Sequence, residues 1–247
     1  MLAVQPVSAF DTDTHYYLTY YIAFRSGFTA NEAHIIASAD YSIDHAGTDS
    51  GLLYLHNNPY WHALSSSESF KEEREAVLWQ RAVGAINSSW SSGYNDGLVF
   101  FGQYIHFTQD RIAHDGYILP EAFGHFYVGH KTDWLAYNRS ASDMMLERTT
   151  VFMSAFVNIY KGAQAPVLNS SALLSSLIAA NPNPQFFELS DIAAGRAVVE
   201  SALGFSVPPP ILFTYNSGGN LVSSDKYSTN PVVSYFAVLL EQSGLTD

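Results

Sequence analysis

Residues Phe100–Trp134 read FFGQYIHFTQDRIAHDGYILPEAFGHFYVGHKTDW, and His106, Asp110 and His114 recur there at every fourth position. On a helix, four residues turn about 40° past a full revolution, so the three occupy one stripe. Imidazole, carboxylate and imidazole on one stripe are nitrogen and oxygen donors for a borderline divalent cation such as zinc, manganese or iron. Tyr104, Ile105, Phe107 and Ile112 surround the stripe with apolar and aromatic surface, which predicts a helix buried on several sides. A hydrogen-bonded polar seam in a helical core is the competing reading. Three donors in register, followed by GHFYVGHKTD, favour the metal. From Gly116 on, three glycines and a proline predict a loop that folds back over the site and brings His125, His130 and Asp133 to it.

Working outward from this stretch, the 247 residues suffice to bury a sizeable core, and no linker or internal repeat divides them. A single mostly helical, all-α domain is expected over residues 1–247. Residues 10–135 would bear the site and 136–247 would supply packing helices. The net charge of −12, with only 11 Lys+Arg, argues against nucleic acid as a stoichiometric partner. A phosphate-bearing small-molecule substrate is still compatible, because a bound metal brings its own positive charge. Cysteine is absent, so any metal site must use nitrogen and oxygen ligands. That composition fits a reducing compartment such as the cytoplasm, with a trimmed secreted chain as the alternative. No apolar run reaches the length of a membrane span.

All nine histidines fall between His15 and His130, which points to one cluster assembled from the first half. In chain order, Asp11 or Asp13 can cap a first helix, HYYLTYYIAFRSG, that carries His15 in its opening turn and stops at Gly27. Thr29-Ala-Asn-Glu32 is a capping box for a second helix, expected from Ala30 through Ala46. Asp40 and Asp44 share a stripe close to its apolar face. A carboxylate there needs a partner, and Asp44 is the preferred metal ligand because His45 and the helix end adjoin it. Gly47–Ser67 reads as a loop in which His62, beside Trp61, is the better candidate ligand. Glu68–Asn87 is an amphipathic cover helix.

Asn95 or Asp96 opens the central helix, which should end near Gly116. Further helices are expected from Ser142-Asp143 to Gly162, over Asn169–Ala180, over Asp191–Leu203 and from Asn230-Pro231 onward. A short hairpin is expected near residues 211–225, around Gly218-Gly219.

HFTQD with a nearby His resembles the H-x-x-x-D-x(n)-H signature of the zinc-dependent phospholipase C and P1-type nuclease superfamily. That resemblance covers roughly residues 10–135. It implies an all-α fold whose buried zinc cluster hydrolyses phosphate esters. Laid on the family order, His15, Asp44, His62, His106, Asp110, His114 and His130 with Asp133 would be its ligands. The sequence departs from the pattern in three ways. Nothing here supplies the family's N-terminal Trp ligand, the gap from Asp110 to His114 is shorter, and His130 and Asp133 stand three apart. IHFTQDRIAH and FGHFYVGH are also similar to a set of uncharacterised microbial proteins with a His-x-x-Gln-Asp-x-x-x-His helix.

The expected activity is therefore hydrolysis, of phosphate esters first, by a water activated on two or more divalent ions. Zinc is the expected metal, with manganese or iron as alternatives. Asp40 or Asp115, as carboxylates not used for ligation, would steer that water as general base. Gln109 and Tyr17 would fix imidazole tautomers. Two alternatives stand beside it. The His114-Asp115 doublet suggests an HD-type phosphohydrolase. The abundance of Tyr and Phe, 16 of each, would suit a metal-dependent lyase or cyclase, or a helical binder of an apolar molecule.

Overall fold

A computed structural model describes residues 13–44, 57–88, 94–115, 135–168, 170–180, 189–216 and 218–226. These form a mostly helical assembly with one small antiparallel hairpin. No helix among the described residues is long and apolar enough to cross a membrane.

Local chemistry sets most helix ends. The first helical segment opens as a π-helical turn, Asp13–Leu18, and continues as α1 (Thr19–Arg25). The wider turn is a frequent companion of functional positions, and His15 lies within it. Gly27 then takes a positive φ of 109° and ends the segment. Helix α2 (Ala30–Tyr41) starts from the expected capping box. Thr29 Oγ1 accepts from the Glu32 amide and Glu32 Oε2 accepts from the Thr29 amide at 2.7 Å. The α-helix is shorter than expected, since Ser42–Asp44 tighten into a 3₁₀ turn.

Inside the stretch expected as a loop, Asn57–Trp61 form a short helix, α3. Ser67 caps α4 (Glu68–Gly84), and Asn95 caps α5 (Asp96–Ala113). Helix α6 (Arg139–Lys161) begins three residues before Ser142, because Asn138 accepts from the Ala141 amide at 3.2 Å and nucleates an earlier turn. It stops at Gly162, whose left-handed φ of 63° suits a residue without Cβ. Helices α7 (Ser171–Ala180) and α8 (Leu189–Leu203) follow. The final helix expected from Asn230 lies outside the described residues.

Helix α5 is the axis of the core, packed against α2, α4 and α6. Nearly its whole length is buried. On the α6 side, the Phe101 and Phe156 rings stack with centroids 3.9 Å apart and planes 7° from parallel. On the α2 side, a Cβ placed on Gly102 would lie 2.4 Å from the Ile36 carbonyl oxygen and 2.5 Å from Ala39 Cβ. Glycine at 102 thus lets the two backbones approach closely. One turn further along α5 stands His106, and on α2 the neighbouring residue is Asp40. This close crossing brings the two together.

The hairpin, β1 (Ile211–Tyr215) with β2 (Leu221–Lys226), docks on α2. Its outer backbone groups are met by serines of the helix and the turn that follows it: the Ile211 amide donates to Ser38 Oγ and the Phe213 amide to Ser42 Oγ, both at 2.9 Å. These bonds cover an edge that would otherwise be open. Arg81 donates to the carbonyls of Gly218 and Gly219, and Gln103 of α5 donates to Gly219 at 2.9 Å.

Candidate metal centre

Four segments that lie far apart in sequence meet at one buried cluster. The π-helical turn contributes His15, α2 and its 3₁₀ extension contribute Asp40 and Asp44, the residue after α3 contributes His62, and α5 contributes His106 and Asp110. His15, Asp40, His106 and Asp110 are fully inaccessible, and Asp44 is the most open member at 8% exposed.

The side chains interlock at short range. Asp110 Oδ2 lies 3.0 Å from His62 Nδ1 and 3.2 Å from His106 Nε2. Its Oδ1 lies 3.5 Å from His15 Nε2. Asp44 Oδ1 lies 3.6 Å from both His62 Nδ1 and His106 Nε2, and its Oδ2 lies 3.7 Å from His15 Nε2. The two imidazole nitrogens His62 Nδ1 and His106 Nε2 are 3.3 Å apart. Ligand atoms about 2.0–2.1 Å from a shared ion are separated by about 3.0 Å in octahedral and about 3.3 Å in tetrahedral geometry. The observed spacings, 3.0 to 3.7 Å, lie close to that range.

Asp44 Oδ1 and Asp110 Oδ1 are buried with no hydrogen-bond partner among the described residues. Unsatisfied carboxylate oxygens are costly in a dry interior. A cation would relieve that cost, and mixed imidazole and carboxylate donors are what such ions take. The cluster is therefore one that could hold a metal ion.

Charge in the cluster points the same way. Burial and the neighbouring His106 both disfavour a proton on His15, yet Asp40 and Asp44 outweigh them and push it up to about 9. Burial likewise opposes charge on His106, and Asp110 with Asp44 still hold it well above the ordinary value. For Asp110, burial acts to raise the carboxyl, but His106 dominates and holds it well below the usual carboxylate range. Asp44 is the exception: burial pushes it up to about 6 despite the nearby imidazoles. The carboxylates thus create a potential strong enough to draw protons onto buried rings, the potential a cation would meet.

Asp40 stands apart from this converging set. Its Oδ1 accepts from His15 Nδ1 at 2.9 Å and His106 Nδ1 at 3.2 Å, and its Oδ2 accepts from Thr19 Oγ1 at 2.7 Å. Both oxygens of Asp40 are thus engaged, unlike the free carboxylate expected of a general base. Asp115, the other expected base, is exposed beyond the end of α5 while the cluster is buried.

His114 stands at the end of the expected stripe. Helix α5 ends at Ala113, and His114 is its buried C-cap. Neither His114 nor Asp110 is in the two groups of three that could hold an ion, but Asp110 lies within 3.2 Å of both His62 and His106. His125, His130 and Asp133, together with the loop expected to fold over the site, lie outside the described residues.

Gln109, expected to support an imidazole, reaches His15 Nδ1 through its Oε1 at 2.8 Å. Two threonines join it that the sequence reading passed over. Gln109 Nε2 donates to Thr19 Oγ1 at 3.0 Å and approaches Thr149 Oγ1 of α6 at 3.5 Å. Thr19 follows His15 by four residues, the same spacing that exposed the α5 stripe, so it carried a legible signal. Thr149 carried none.

A family of unknown function (DUF6765) matches residues 10–82 of this chain. That span includes His15, Asp40, Asp44 and His62 and stops short of α5, where His106 and Asp110 lie. No curated protein and no solved structure matches the chain.

Proposed function

We propose that this protein is a divalent-metal-dependent hydrolase acting on ester bonds, phosphate esters first. The observation that carries this reading is a buried cluster in which His15 Nε2, His62 Nδ1 and His106 Nε2 each lie within 3.7 Å of carboxylate oxygens of both Asp44 and Asp110. Three nitrogens and two carboxylates exceed the four ligands of a closed structural zinc site. They suit zinc, manganese or iron in a higher coordination number, the arrangement of a working rather than a purely structural ion. The expectation of two or more ions drew in part on His125, His130 and Asp133, so a single ion is the reading proposed for this donor set.

A divalent ion held there supplies Lewis acidity, which lowers the pKa of a water from 15.7 to about 7 and offsets charge on an ester oxygen. The protein's own part is to hold the donors rigidly and to accept a proton. Asp44 suits that second task better than Asp40 or Asp115, with one carboxylate oxygen serving as donor to the ion and the other accepting the proton. Its Oδ1 lacks a hydrogen-bond partner among the described residues, and it lies at the least enclosed side of the cluster. The HD-type alternative has less support, because His114 is buried while the adjoining Asp115 is exposed.

The test is metal analysis of chain purified without chelators, followed by turnover of bis(p-nitrophenyl) phosphate and p-nitrophenyl phosphate. Bound zinc, manganese or iron with turnover that a chelator abolishes is the expected result. Absence of metal, with no uptake on reconstitution, would overturn the reading. Bound metal without turnover of either ester would reject the hydrolase and leave a lyase, a cyclase or a binding protein.

A further inference from the structure

We infer that Asp40 is a positioning residue lying outside the metal's ligand set, and that with Thr19 and Gln109 it turns His15 and His106 so that both present Nε2 to the ion. This rests on the metal-dependent reading above and goes further, because His15, Asp40 and His106 by themselves also form a group that could hold an ion. The hydrogen bonds decide between the two arrangements.

A carboxylate can only accept, so the close approaches of Asp40 Oδ1 to His15 Nδ1 and His106 Nδ1 require a proton on each Nδ1. Gln109 makes the same demand on His15 independently. Its Nε2 faces the Thr19 hydroxyl, which leaves Oε1, an acceptor, against His15 Nδ1. The Thr19 proton goes to Asp40 Oδ2. Asp40, His15, Gln109 and Thr19 thus close a buried ring of hydrogen bonds whose polarity is self-consistent. In a neutral imidazole, a proton on Nδ1 places the lone pair on Nε2. Both Nε2 atoms face Asp110, at 3.5 Å from His15 and 3.2 Å from His106.

One carboxylate oxygen therefore sets two rings at once, and the His15 and His106 rings lie 4.3 Å apart, tilted by 31°. Partners of this kind orient ligands and raise their basicity, and their loss costs about 10–100-fold in metal affinity. An ion placed among the Nδ1 atoms would instead have to displace both ring protons from a carboxylate that already holds them.

Titration of the metal-freed full chain with Co²⁺, followed by visible absorption, separates the alternatives. Asp40→Asn should bind as many Co²⁺ ions as wild type at saturation, with bands of the same number and position, but about 10–100-fold more weakly. Thr19→Val removes the hydroxyl that steadies Asp40 and accepts from Gln109 but leaves the Asp40 carboxylate on both rings, so it should weaken binding in the same direction by a smaller factor. If Asp40→Asn loses an ion or changes the band pattern, Asp40 is a ligand and the inference fails. Wild-type affinity in Asp40→Asn overturns it too, while leaving the hydrolase reading intact. Should circular dichroism show Asp40→Asn unfolded, Thr19→Val alone decides, and unchanged affinity there counts against the inference. A wild-type chain that takes up no Co²⁺ overturns this inference and the metal-dependent function together.

Discussion

At the scale of single residues, Asp110 is the member of the cluster with the fewest substitutes. One oxygen meets two imidazoles and the other is left without a hydrogen bond among the described residues. Asp110→Asn keeps the volume and removes the charge that draws a cation in. We expect it to lose the bound metal ion and nearly all activity while retaining helical circular dichroism. Wild-type metal content in that variant, measured by mass spectrometry, would return the stripe to an ordinary polar seam. His34→Ala looks from sequence like a neutral control, but the structure makes it a poor one. Tyr16 spends its proton on the Pro208 carbonyl at 2.6 Å, so His34 Nδ1–H donates to the Tyr16 oxygen at 2.8 Å, next to His15.

His34 offers a different test. Burial pushes it from 6.5 down to about 4. Its folded pKa lies below the unfolded one, so the unfolded chain binds more protons between these values and stability falls as the pH drops through that window. At about 1.36 kcal/mol per pH unit, the gap caps this loss at about 3 kcal/mol, and partial exposure of the ring lowers it further. His34→Gln keeps a donor for Tyr16 but cannot titrate. Urea unfolding at pH 7 and pH 4 should show a smaller acid loss in the variant than in wild type. Equal losses would show that His34 does not titrate in this way.

Among the elements, the crossing of α2 and α5 and the packing of α6 do separable work. Gly102→Ala puts a methyl group 2.4 Å from the Ile36 carbonyl, so α2 must move away from α5. Overpacking of this kind typically costs about 1–3 kcal/mol. Because Asp40 and His106 flank the contact, metal affinity should fall together with stability. Phe156→Ala should behave otherwise. The ring is fully buried and stacked on Phe101, so truncation should cost about 3–5 kcal/mol while the folded fraction keeps its metal content. Equilibrium unfolding paired with metal analysis distinguishes the two. Loss of metal in folded Phe156→Ala would mean that α6 supports the site directly, beyond the contact of Thr149 with Gln109.

For the whole molecule, the ion and the fold should be thermodynamically linked. The donors come from four segments, and an unfolded chain cannot bring them together. An ion present at 1,000 times its dissociation constant adds about 4.1 kcal/mol of stability. At about 2–4 °C per kcal/mol for a domain of this size, that predicts a rise in Tm of roughly 8–16 °C on reconstitution and its loss on chelation. An unchanged Tm across zinc, manganese and iron would count against the site.

What the sequence determined by itself was local. The capping box at Thr29, the Asn95 cap, the Gly162 stop and the pairing of His106 with Asp110 each follow from chemistry within about one helical turn. Restriction of the histidines to the first 130 positions, and the aromatic positions on α6, follow from composition and period. The tertiary structure alone separated the roles of Asp40 and Asp44, carboxylates that share a stripe and look alike in sequence. It did so by crossing α5 over α2 at Gly102, where a missing Cβ lets two backbones close to a distance that no local pattern encodes. His62 was legible as a candidate in its stretch, but its meeting with Asp110, 48 residues away, was not. Helix periodicity gives the direction in which a side chain leaves its own axis. The position of another axis against it depends on packing summed over the whole core, and that decided which atoms face a cation and which hold the rings that do.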